Sequence, residues 1–311
     1  MSIKIIFYLI KAFRPVHWIK NLSIFAALLF SPHLLSIKSF ELLVNAFFAF
    51  CLATSATYIF NDIIDAPYDH AHPIKKHRPI ASGKISIRLA AMTALILIGI
   101  STFIASFINN PIFSILLYIY LSLQFLYTIW LKNISVIDIL TIASGFVLRV
   151  YAGAFVIDAH LSVWFMLCVI SVALFLASGK RRAEIGIIQK ANVTRKSLSN
   201  YSKPLLNSYV TMFGNAAWMS WALYTFYESP QVTNDIWVLL SEISRTTTIS
   251  KLLMITIPVA IFGIMRYQSL IFQNKTEAPE KLLLTDKSLV ISSLLWVGLV
   301  IIILYAGIAE H

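Results

Sequence analysis

Three aspartates and an asparagine stand close together in the stretch NDIIDAPYD, at the end of a long apolar run. Asp62, Asp65 and Asp69 are spaced i, i+3 and i+7, which aligns side chains along one face of an α-helix. Three carboxylates on one face repel each other unless a cation lies between them. Hard oxygen ligands at this spacing suit Mg²⁺, which usually completes its shell with water and substrate phosphates. The sequence therefore predicts a magnesium site at these three aspartates, with Asn61 beside them.

Pro67 lies within the same stretch and disfavours helical geometry at the residue before it, Ala66. We therefore expect the helix to end or kink at Ala66. In that case Asp69 would approach the metal from a turn.

Basic residues follow the aspartates at Lys75, Lys76 and Arg78. Their natural partners are phosphate oxygens, and the arginine guanidinium can bind two oxygens at once. Acidic residues for a metal followed by basic residues for phosphate are the arrangement expected of a diphosphate site. Lys84 and Arg88 are more simply explained as loop charges that set membrane topology.

The histidines of this stretch, His70, His72 and His77, lie in a loop that contains proline. They have neither supporting cysteines nor the helical spacing of a zinc-binding motif, so a zinc site is not favoured.

A second polar stretch, SGKRRAE, begins at Ser178. Lys180 and Arg181 are predicted to contact phosphate, and Glu184 to orient them or to bind a second metal or ribose hydroxyls. The simpler alternative is an ion pair between Lys180 and Glu184, four residues apart on a helix.

Arg149 lies inside an apolar run, within FVLRVYAGAF. A charge near the middle of a membrane is costly and normally faces a polar cavity or an acidic partner. Asp138, about three helical turns earlier, is expected to line the same opening, whereas Tyr151 points elsewhere. Weaker candidates, for which placement at the membrane interface is an equal alternative, are Lys20, Tyr127, Lys132 and Arg266.

The composition is that of a membrane protein with several spanning helices. Of 311 residues, 59% are hydrophobic and 13% are charged, and the mean hydropathy is +0.79. Since a helix needs about 20 apolar residues to cross a bilayer, the sequence predicts an all-α protein with nine spans in a bundle around a polar cavity. The spans are expected at about 22–35, 41–60, 86–108, 111–131, 134–156, 161–178, 207–227, 249–272 and 288–307.

Most of the 25 basic residues fall on one side of these nine spans, together with both polar stretches. The positive-inside rule makes that side cytoplasmic, so we expect a multi-pass protein of the inner (plasma) membrane whose site faces the cytoplasm. The net charge of +11 does not indicate nucleic-acid binding, because the basic residues lie in loops between spans.

The remaining features predict one membrane domain over residues 1–311, since no linker or soluble-sized polar block interrupts the spans. The N-terminus is expected to form an interfacial helix rather than a cleaved signal peptide. Cys51 and Cys168 are interpreted as packing residues. The oligomeric state is left open.

At this point the motifs support a resemblance. NDIIDAPYD resembles the NDxxDxxxD signature of the UbiA-type membrane prenyltransferase superfamily. Five further motifs, in order along nearly the whole chain, are similar to the decaprenyl-phosphate phosphoribosyltransferase branch of that superfamily. They are RPVHWIKN, HPIKKHRPIASG, RVYAGAF with LSVWF, SGKRRAE and APEKLLLTDKSL.

The resemblance implies a Mg²⁺-dependent enzyme that transfers 5-phosphoribose from phosphoribosyl diphosphate (PRPP) to a polyprenyl phosphate. Its product would feed the synthesis of a cell-envelope polysaccharide. By matching position, Asn61, Asp62, Asp65 and Asp69 would hold Mg²⁺ against the donor diphosphate. The remaining phosphates would be bound by Lys75, Lys76, Arg78, Lys180 and Arg181, with Lys20 as a further candidate.

Two positions depart from the patterns of the family. The second aspartate-rich motif of enzymes that prenylate aromatic acceptors is replaced by Glu184 with a Lys-Arg pair. Arg182 stands where the phosphoribosyltransferases commonly have tyrosine.

The expected reaction is displacement at ribose C1 by the lipid phosphate, with inversion of configuration and release of diphosphate. Since a phosphate monoester is already anionic, it needs no strong base, and Glu184 would stabilise positive charge on the ring carbon. One alternative is transfer of an isoprenyl group from its diphosphate to a small acceptor. A transporter is the less favoured alternative, because the polar clusters lie at one face rather than at mid-membrane.

Overall fold

The computed structural model describes residues 3–31, 33–70, 75–188, 200–228, 249–273 and 279–305. These residues contain helices and no strands, which confirms the all-α class. The chain divides into two compact units, Met1–His160 with Lys190–Tyr201, and Leu161–Gln189 with Ser202–His311. The expectation of a single domain over 1–311 stays a prediction.

Among the described residues, the first unit contains six α-helices and the second contains five. In the first unit they are α1 (Ile3–Phe13), α2 (Ala26–Leu29), α3 (Ile37–Asp69), α4 (Ile87–Ile108), α5 (Pro111–Ile129) and α6 (Ile137–Val156). In the second they are α7 (Val163–Ile188), α8 (Lys203–Tyr227), α9 (Ile257–Phe272), α10 (Pro279–Thr285) and α11 (Lys287–Tyr305). The 3₁₀ segments are Pro15–Phe25, Lys75–His77, Leu131–Asn133 and Ile249–Thr256.

Polar residues cap the start of four of the long helices. The side chains of Ser36, Ser86, Asn110 and Ser202 accept hydrogen bonds from backbone N–H groups in the first turns of α3, α4, α5 and α8. A side-chain oxygen at this position satisfies an N–H group that the helix itself leaves unpaired. The apolar runs are therefore divided into separate helices by these capping residues.

Seven of the described helices are long and apolar enough to cross a membrane, namely 37–69, 87–108, 111–129, 137–156, 163–185, 252–272 and 287–305. On α4, large apolar side chains such as Leu95 and Phe107, each 69% exposed, point away from the rest of the unit. Apolar surface of this extent is stable when it faces lipid. The chain is thus an integral membrane protein.

The exact count of nine spans is not confirmed. The expected first span at 22–35 is instead the end of the 3₁₀ segment Pro15–Phe25 followed by the four-residue α2. The expected span at 207–227 is helical as α8 but is not among the seven apolar helices. Two other predicted ends are also wrong, since α3 continues through Pro67 to Asp69 and α7 continues past residue 178 to Ile188.

The first unit is built around α3, whose apolar window is 61% buried, against 28% for α4 and for α5. Its small residues Ala46, Ala49 and Ala53 are fully buried and let neighbouring helices approach closely. The 3₁₀ segment is fastened to α3 by the indole N–H of Trp18, which donates to Ser55 Oγ at 3.0 Å. Ser55 in turn donates to the carbonyl of Phe13 at 3.1 Å.

Glycine is required where α6 meets the 3₁₀ segment. A Cβ atom at Gly153 would lie 1.9 Å from the carbonyl oxygen of Ile24, far inside van der Waals contact. Because the clash is with backbone, no side-chain rotation relieves it. Gly153 therefore sets how closely the 3₁₀ segment, which contains Lys20 and directly follows Arg14, packs on α6.

We expect Gly153→Ala to destabilise the protein by about 2 kcal/mol or more, because overpacking against backbone forces a shift of one element. Thermal unfolding in detergent micelles measures this as a lowered melting temperature. Gly99→Ala is the matched control, since a Cβ there meets nothing within 4 Å. Equal melting temperatures for the two variants would contradict the packing argument.

In the second unit, α9 and α11 are joined by an ion pair. Arg266 donates from Nη2 to Asp286 Oδ2 at 2.7 Å and from Nε to Oδ1 at 3.2 Å. Asp286 also accepts from the N–H of Leu289 at 3.1 Å and so caps α11. Hydrogen bonding from Arg266 holds the pKa of Asp286 below its usual value. The ion pair therefore favours the folded state above the unfolded carboxyl pKa and is lost as the pH falls through the lower folded pKa.

Asp286→Asn should lower the melting temperature at pH 7, because asparagine can cap the helix but cannot pair with the arginine. The difference from the wild type should shrink as the pH falls below about 3.9, the ordinary pKa of an unfolded aspartate, and disappear only once the pH is below the lower pKa of Asp286 in the folded protein. The control is Asp158→Asn, at an exposed aspartate in left-handed backbone that asparagine tolerates. An equal decrease at pH 3 and at pH 7 would argue against the ion pair as the cause.

Candidate active site

The three aspartates lie on one face of α3, in its last two turns. Because the helix continues through Pro67, Asp69 is helical and does not approach from a turn. The N–H of His70 still donates to the carbonyl of Ala66 at 3.2 Å, so a proline in the last turn is tolerated. Asp62 and Asp69 are buried, 2% and 4% exposed, and carboxylates in such positions require cationic partners.

Asp62 and Asp69 share one arginine. Arg78 Nη1 lies 2.6 Å from Asp69 Oδ2 and 3.1 Å from Asp62 Oδ1. Arg14 Nη2 reaches the same Oδ1 atom of Asp62 at 2.5 Å. The two ion-paired arginines therefore come from opposite sides of α3 in the sequence, one before it and one after it.

Asp65 has a different cationic partner. Lys132 Nζ lies 2.6 Å from its Oδ1 atom, and Asn61 donates from Nδ2 to its Oδ2 atom at 2.9 Å. Lys132 is itself only 7% exposed and belongs to the short 3₁₀ segment between α5 and α6. Asn61 thus orients a carboxylate of the motif, and its predicted role as a metal ligand stays a prediction.

The sequence analysis does not single out Arg14 and gives Lys132 only as a weaker candidate, yet both pair with aspartates of the motif. Arg14 adopts left-handed backbone geometry, with φ 54°, and its guanidinium also lies 4.9 Å from the ring centroid of Tyr58. A non-glycine residue in this region is uncommon and marks a conformation imposed by its surroundings. The sequence feature that could have indicated Arg14 is its position directly before proline in RPVHWIKN.

The other predicted phosphate ligands of the first unit lie near this cluster in sequence. Lys75 and Lys76 form the 3₁₀ turn that ends at His77, with Lys75 half-buried and Lys76 exposed. Residues 71–74, and with them His72, lie outside the described residues. Lys20 lies in the 3₁₀ segment and is half-buried.

Arg149 is buried, 5% exposed, and its contacts are to neutral groups. It donates from Nε to Asn21 Oδ1 at 2.6 Å, from Nη1 to the carbonyl of Gly145 at 2.6 Å and from Nη2 to Tyr120 Oη at 2.8 Å. Tyr120 also contacts Thr54 at 3.1 Å. The network therefore links α6, α5, α3 and the 3₁₀ segment.

Asp138 and Arg149 have different hydrogen-bond partners, and the expectation that they line one opening stays a prediction. It is fully buried and accepts from the hydroxyl of Tyr201 at 2.7 Å. It also accepts from the N–H of Ile139 at 2.9 Å. Eleven residues on one helix correspond to about 16 Å along the axis, which explains why their partners differ.

In the second unit, SGKRRAE is helical rather than a loop, because α7 runs to Ile188. Arg181 is fully buried and pairs with Glu184, one turn later. Lys180 is half-buried. Glu184 is thus ion-paired at i, i+3 with Arg181, while phosphate contact by Lys180 and Arg181 stays a prediction. Residues 189–199 of the expected loop lie outside the described residues.

Arg182, where the resemblance implied tyrosine, donates from Nε to Asn207 Oδ1 at 2.6 Å. Its guanidinium lies 5.5 Å from the ring centroid of Phe272. It therefore joins α7 to α8 and α9 within the second unit.

Divalent-metal binding fits the chemistry of the donors in the first unit but not their present arrangement. Three carboxylates and an amide within three turns are hard oxygen donors of the kind that Mg²⁺ takes. Yet among the described residues no three His, Cys, Asp or Glu side chains converge on one point. Instead, each of the three carboxylates is held by arginine or lysine.

Comparison with known proteins agrees with this helical architecture and motif. The sequence profile of the UbiA prenyltransferase family matches residues 22–181. The fold resembles a UbiA homologue from Archaeoglobus fulgidus bound to GPP and Mg²⁺, with a TM-score of 0.68 and 16% identity over 96% of this chain and 99% of the other. The chain belongs to the UbiA prenyltransferase family, as its motifs predicted.

Within this family, its curated relatives include decaprenyl-phosphate phosphoribosyltransferases. The Corynebacterium glutamicum protein of that name is 33% identical over 96% of this chain and 86% of its own length. The Mycolicibacterium smegmatis protein is 33% identical over 93% of this chain and 90% of its own length. The similarity therefore covers nearly the whole of both relatives.

We expect Arg78→Met to destabilise the protein by about 2 kcal/mol, because Asp62 then has one cationic partner fewer and Asp69 loses its ion pair with Arg78. Thermal unfolding in detergent measures the loss, with Arg88→Met, at an exposed arginine, as the control. Adding Asp69→Asn should restore part of the stability by removing a buried negative charge. A double variant that is less stable than Arg78→Met alone would contradict this electrostatic account.

Proposed function

We propose that this protein transfers 5-phosphoribose from PRPP to a polyprenyl phosphate of the decaprenyl type, with release of diphosphate. The observation that carries the proposal is the cluster at the end of α3, where three carboxylates meet Arg14, Arg78 and Lys132. Such a cluster supplies both metal ligands and phosphate ligands. The names of the near-full-length relatives support the ribosyl donor and the lipid acceptor.

Mg²⁺ is the proposed cofactor, with Asp62, Asp65, Asp69 and Asn61 as the residues that would hold it. When bound, it would neutralise negative charge on the diphosphate leaving group. A UbiA structure of the same fold was solved with Mg²⁺, which supports the use of a divalent cation in this fold.

The basic side chains of the first unit are proposed to bind the donor diphosphate. Arg14, Arg78 and Lys132 already lie within ion-pair distance of the carboxylates, so an anion there would meet preplaced N–H donors. Lys75, Lys76 and Lys20 are proposed to contact the remaining phosphate oxygens. Holding the leaving group in one orientation aligns ribose C1 for attack and lowers the entropic part of the barrier.

Arg149 is proposed to bind substrate as well, because its hydrogen-bond acceptors among the described residues are neutral. Its polar contacts use three of the five N–H groups of a guanidinium, and all three acceptors are neutral. A buried cation in a membrane is stabilised by an anion. The acceptor phosphate, carried by a lipid, is the anion whose isoprenoid chain belongs in this apolar environment.

Residues of the second unit keep the roles that the resemblance implies. Lys180 and Arg181 are proposed phosphate ligands, and Glu184 is proposed to stabilise positive charge on the ribose ring. The pairing of Arg181 with Glu184 supports a fixed orientation of that carboxylate. Displacement by the lipid phosphate in one step would invert the configuration at C1.

The proposed location is the inner (plasma) membrane, with the end of α3 on the cytoplasmic side. The seven apolar helices support the membrane assignment, and the distribution of basic residues supports the orientation. PRPP is water-soluble and charged, so a cytoplasmic opening gives it access to the site.

The test is a donor assay on the purified protein in detergent with Mg²⁺. Labelled PRPP with decaprenyl phosphate is compared with labelled geranyl diphosphate and an aromatic acid. We expect label in the lipid product only from PRPP, loss of activity on chelation, and recovery when Mg²⁺ is added. The anomeric configuration of the product, determined by NMR, tests inversion.

Asp65→Asn should reduce the rate about 100-fold or more, since it removes the charge of a proposed metal ligand. Glu41→Gln removes an exposed carboxylate from the same helix and should leave the rate unchanged. Transfer from geranyl diphosphate instead of PRPP would overturn the ribosyl assignment in favour of prenyl transfer.

A further inference from the structure

A tyrosine from a distant part of the chain is hydrogen-bonded to the connection between α5 and α6. The hydroxyl of Tyr201 donates to Asp138 Oδ1 at 2.7 Å and accepts from the N–H of Val136 at 2.5 Å. Tyr201 is 7% exposed and Asp138 is fully buried. Buried hydrogen bonds of this kind fix geometry, because water is not available to replace a lost partner.

The same connection carries Lys132. Its turns are closed by backbone hydrogen bonds from Ile134 N to Leu131 O at 3.1 Å and from Asp138 N to Ile134 O at 3.0 Å. The chain from Lys132 to Val136 is therefore short and internally bonded. Movement at Val136 or Asp138 would be transmitted directly to Lys132.

The backbone of Val136, in the same connection, is held by its surroundings in a conformation that valine disfavours. It has φ 71° and ψ −49°, although its side chain is β-branched and strongly disfavours positive φ. A residue keeps such a conformation only when its surroundings hold it there. The bond from Val136 N–H to Tyr201 is one of the contacts that can do so.

We propose that Tyr201 and Asp138 are positioning residues that hold the Lys132 ammonium at Asp65. Lys132 Nζ lies 2.6 Å from Asp65 Oδ1, and a small rotation of the connection would separate the two atoms. As far as donor binding is concerned, the inference rests on the proposed function. Loss of the tyrosine hydroxyl should then weaken PRPP binding through Lys132, without affecting the chemical step to the same extent.

The first test does not depend on activity. Full-length protein in detergent is treated with an amine-acetylating reagent, and labelling of individual lysines is followed by peptide mass spectrometry. Tyr201→Phe should label Lys132 about fivefold faster than the wild type, the effect expected for loss of one buried hydrogen bond. Lys76, which is exposed, is the internal reference, and Tyr118→Phe, at an exposed tyrosine, is the matched control.

The second test uses the transfer assay. In Tyr201→Phe we expect the KM for PRPP to rise about fivefold to tenfold while kcat changes less than about twofold. Lys132→Met should raise the same KM, and adding Tyr201→Phe to it should have no further effect. A melting temperature close to that of the wild type separates positioning from a general loss of stability.

Unchanged Lys132 labelling in Tyr201→Phe would overturn the inference, as would a double variant whose KM increase is the product of the two single increases. If labelling rises but the wild type transfers no ribosyl group, the positioning role is supported and the proposed function fails. The two claims are therefore tested separately.

Discussion

The first unit depends on the pairing of buried carboxylates on α3 with basic side chains from elsewhere in the chain. Asp62 and Asp69 are nearly inaccessible, and an unpaired charge in that position would cost several kcal/mol. Arg14, before the 3₁₀ segment, and Arg78, after α3, pair with these two carboxylates, and Lys132, between α5 and α6, pairs with Asp65. The folding of these three segments around α3 is thus coupled to charge compensation at the end of that helix.

Unlike these paired carboxylates, Arg149 is a buried cation that donates hydrogen bonds to neutral oxygens. Its network fastens the 3₁₀ segment to α6 through Asn21, while Gly153 allows the two backbones to approach at Ile24. The segment that presents Arg14 is therefore fixed at two points distant from Arg14 itself. The placement of Arg14, a proposed phosphate ligand, consequently depends on helix packing at Asn21 and Gly153.

Much of the fold and part of the site were predictable from local patterns. Hydropathy located the apolar helices, and the i, i+3, i+7 spacing placed three aspartates on one helix face. The helix end predicted at Ala66 was wrong, because one proline in the last turn removes few helical hydrogen bonds. The loop predicted at SGKRRAE was wrong, because its many charged residues were taken to indicate a loop. Instead, α7 continues through this stretch and buries Arg181.

The partners of the aspartates could not be predicted in the same way. Arg14 is 48 residues from Asp62, and Lys132 is 67 residues from Asp65, so no local periodicity connects them. Their pairing is decided by which helices pack together and by strained backbone at Arg14 and Val136. Strained positions of this kind contradict local sequence preference, and tertiary contacts are needed to explain them.

Under the proposed function, this pairing also explains how a site for a highly charged substrate remains folded without that substrate. The three carboxylates and the three basic side chains compensate each other, so neither set is left as an uncompensated charge. A diphosphate that arrives with a divalent cation brings both signs of charge, so the carboxylates can turn to the cation and the basic groups to the phosphates. Donor binding is then an exchange of partners at nearly constant local charge. Such an exchange requires each basic group to stay within reach of both partners, which is why the position of Lys132 matters as much as its charge.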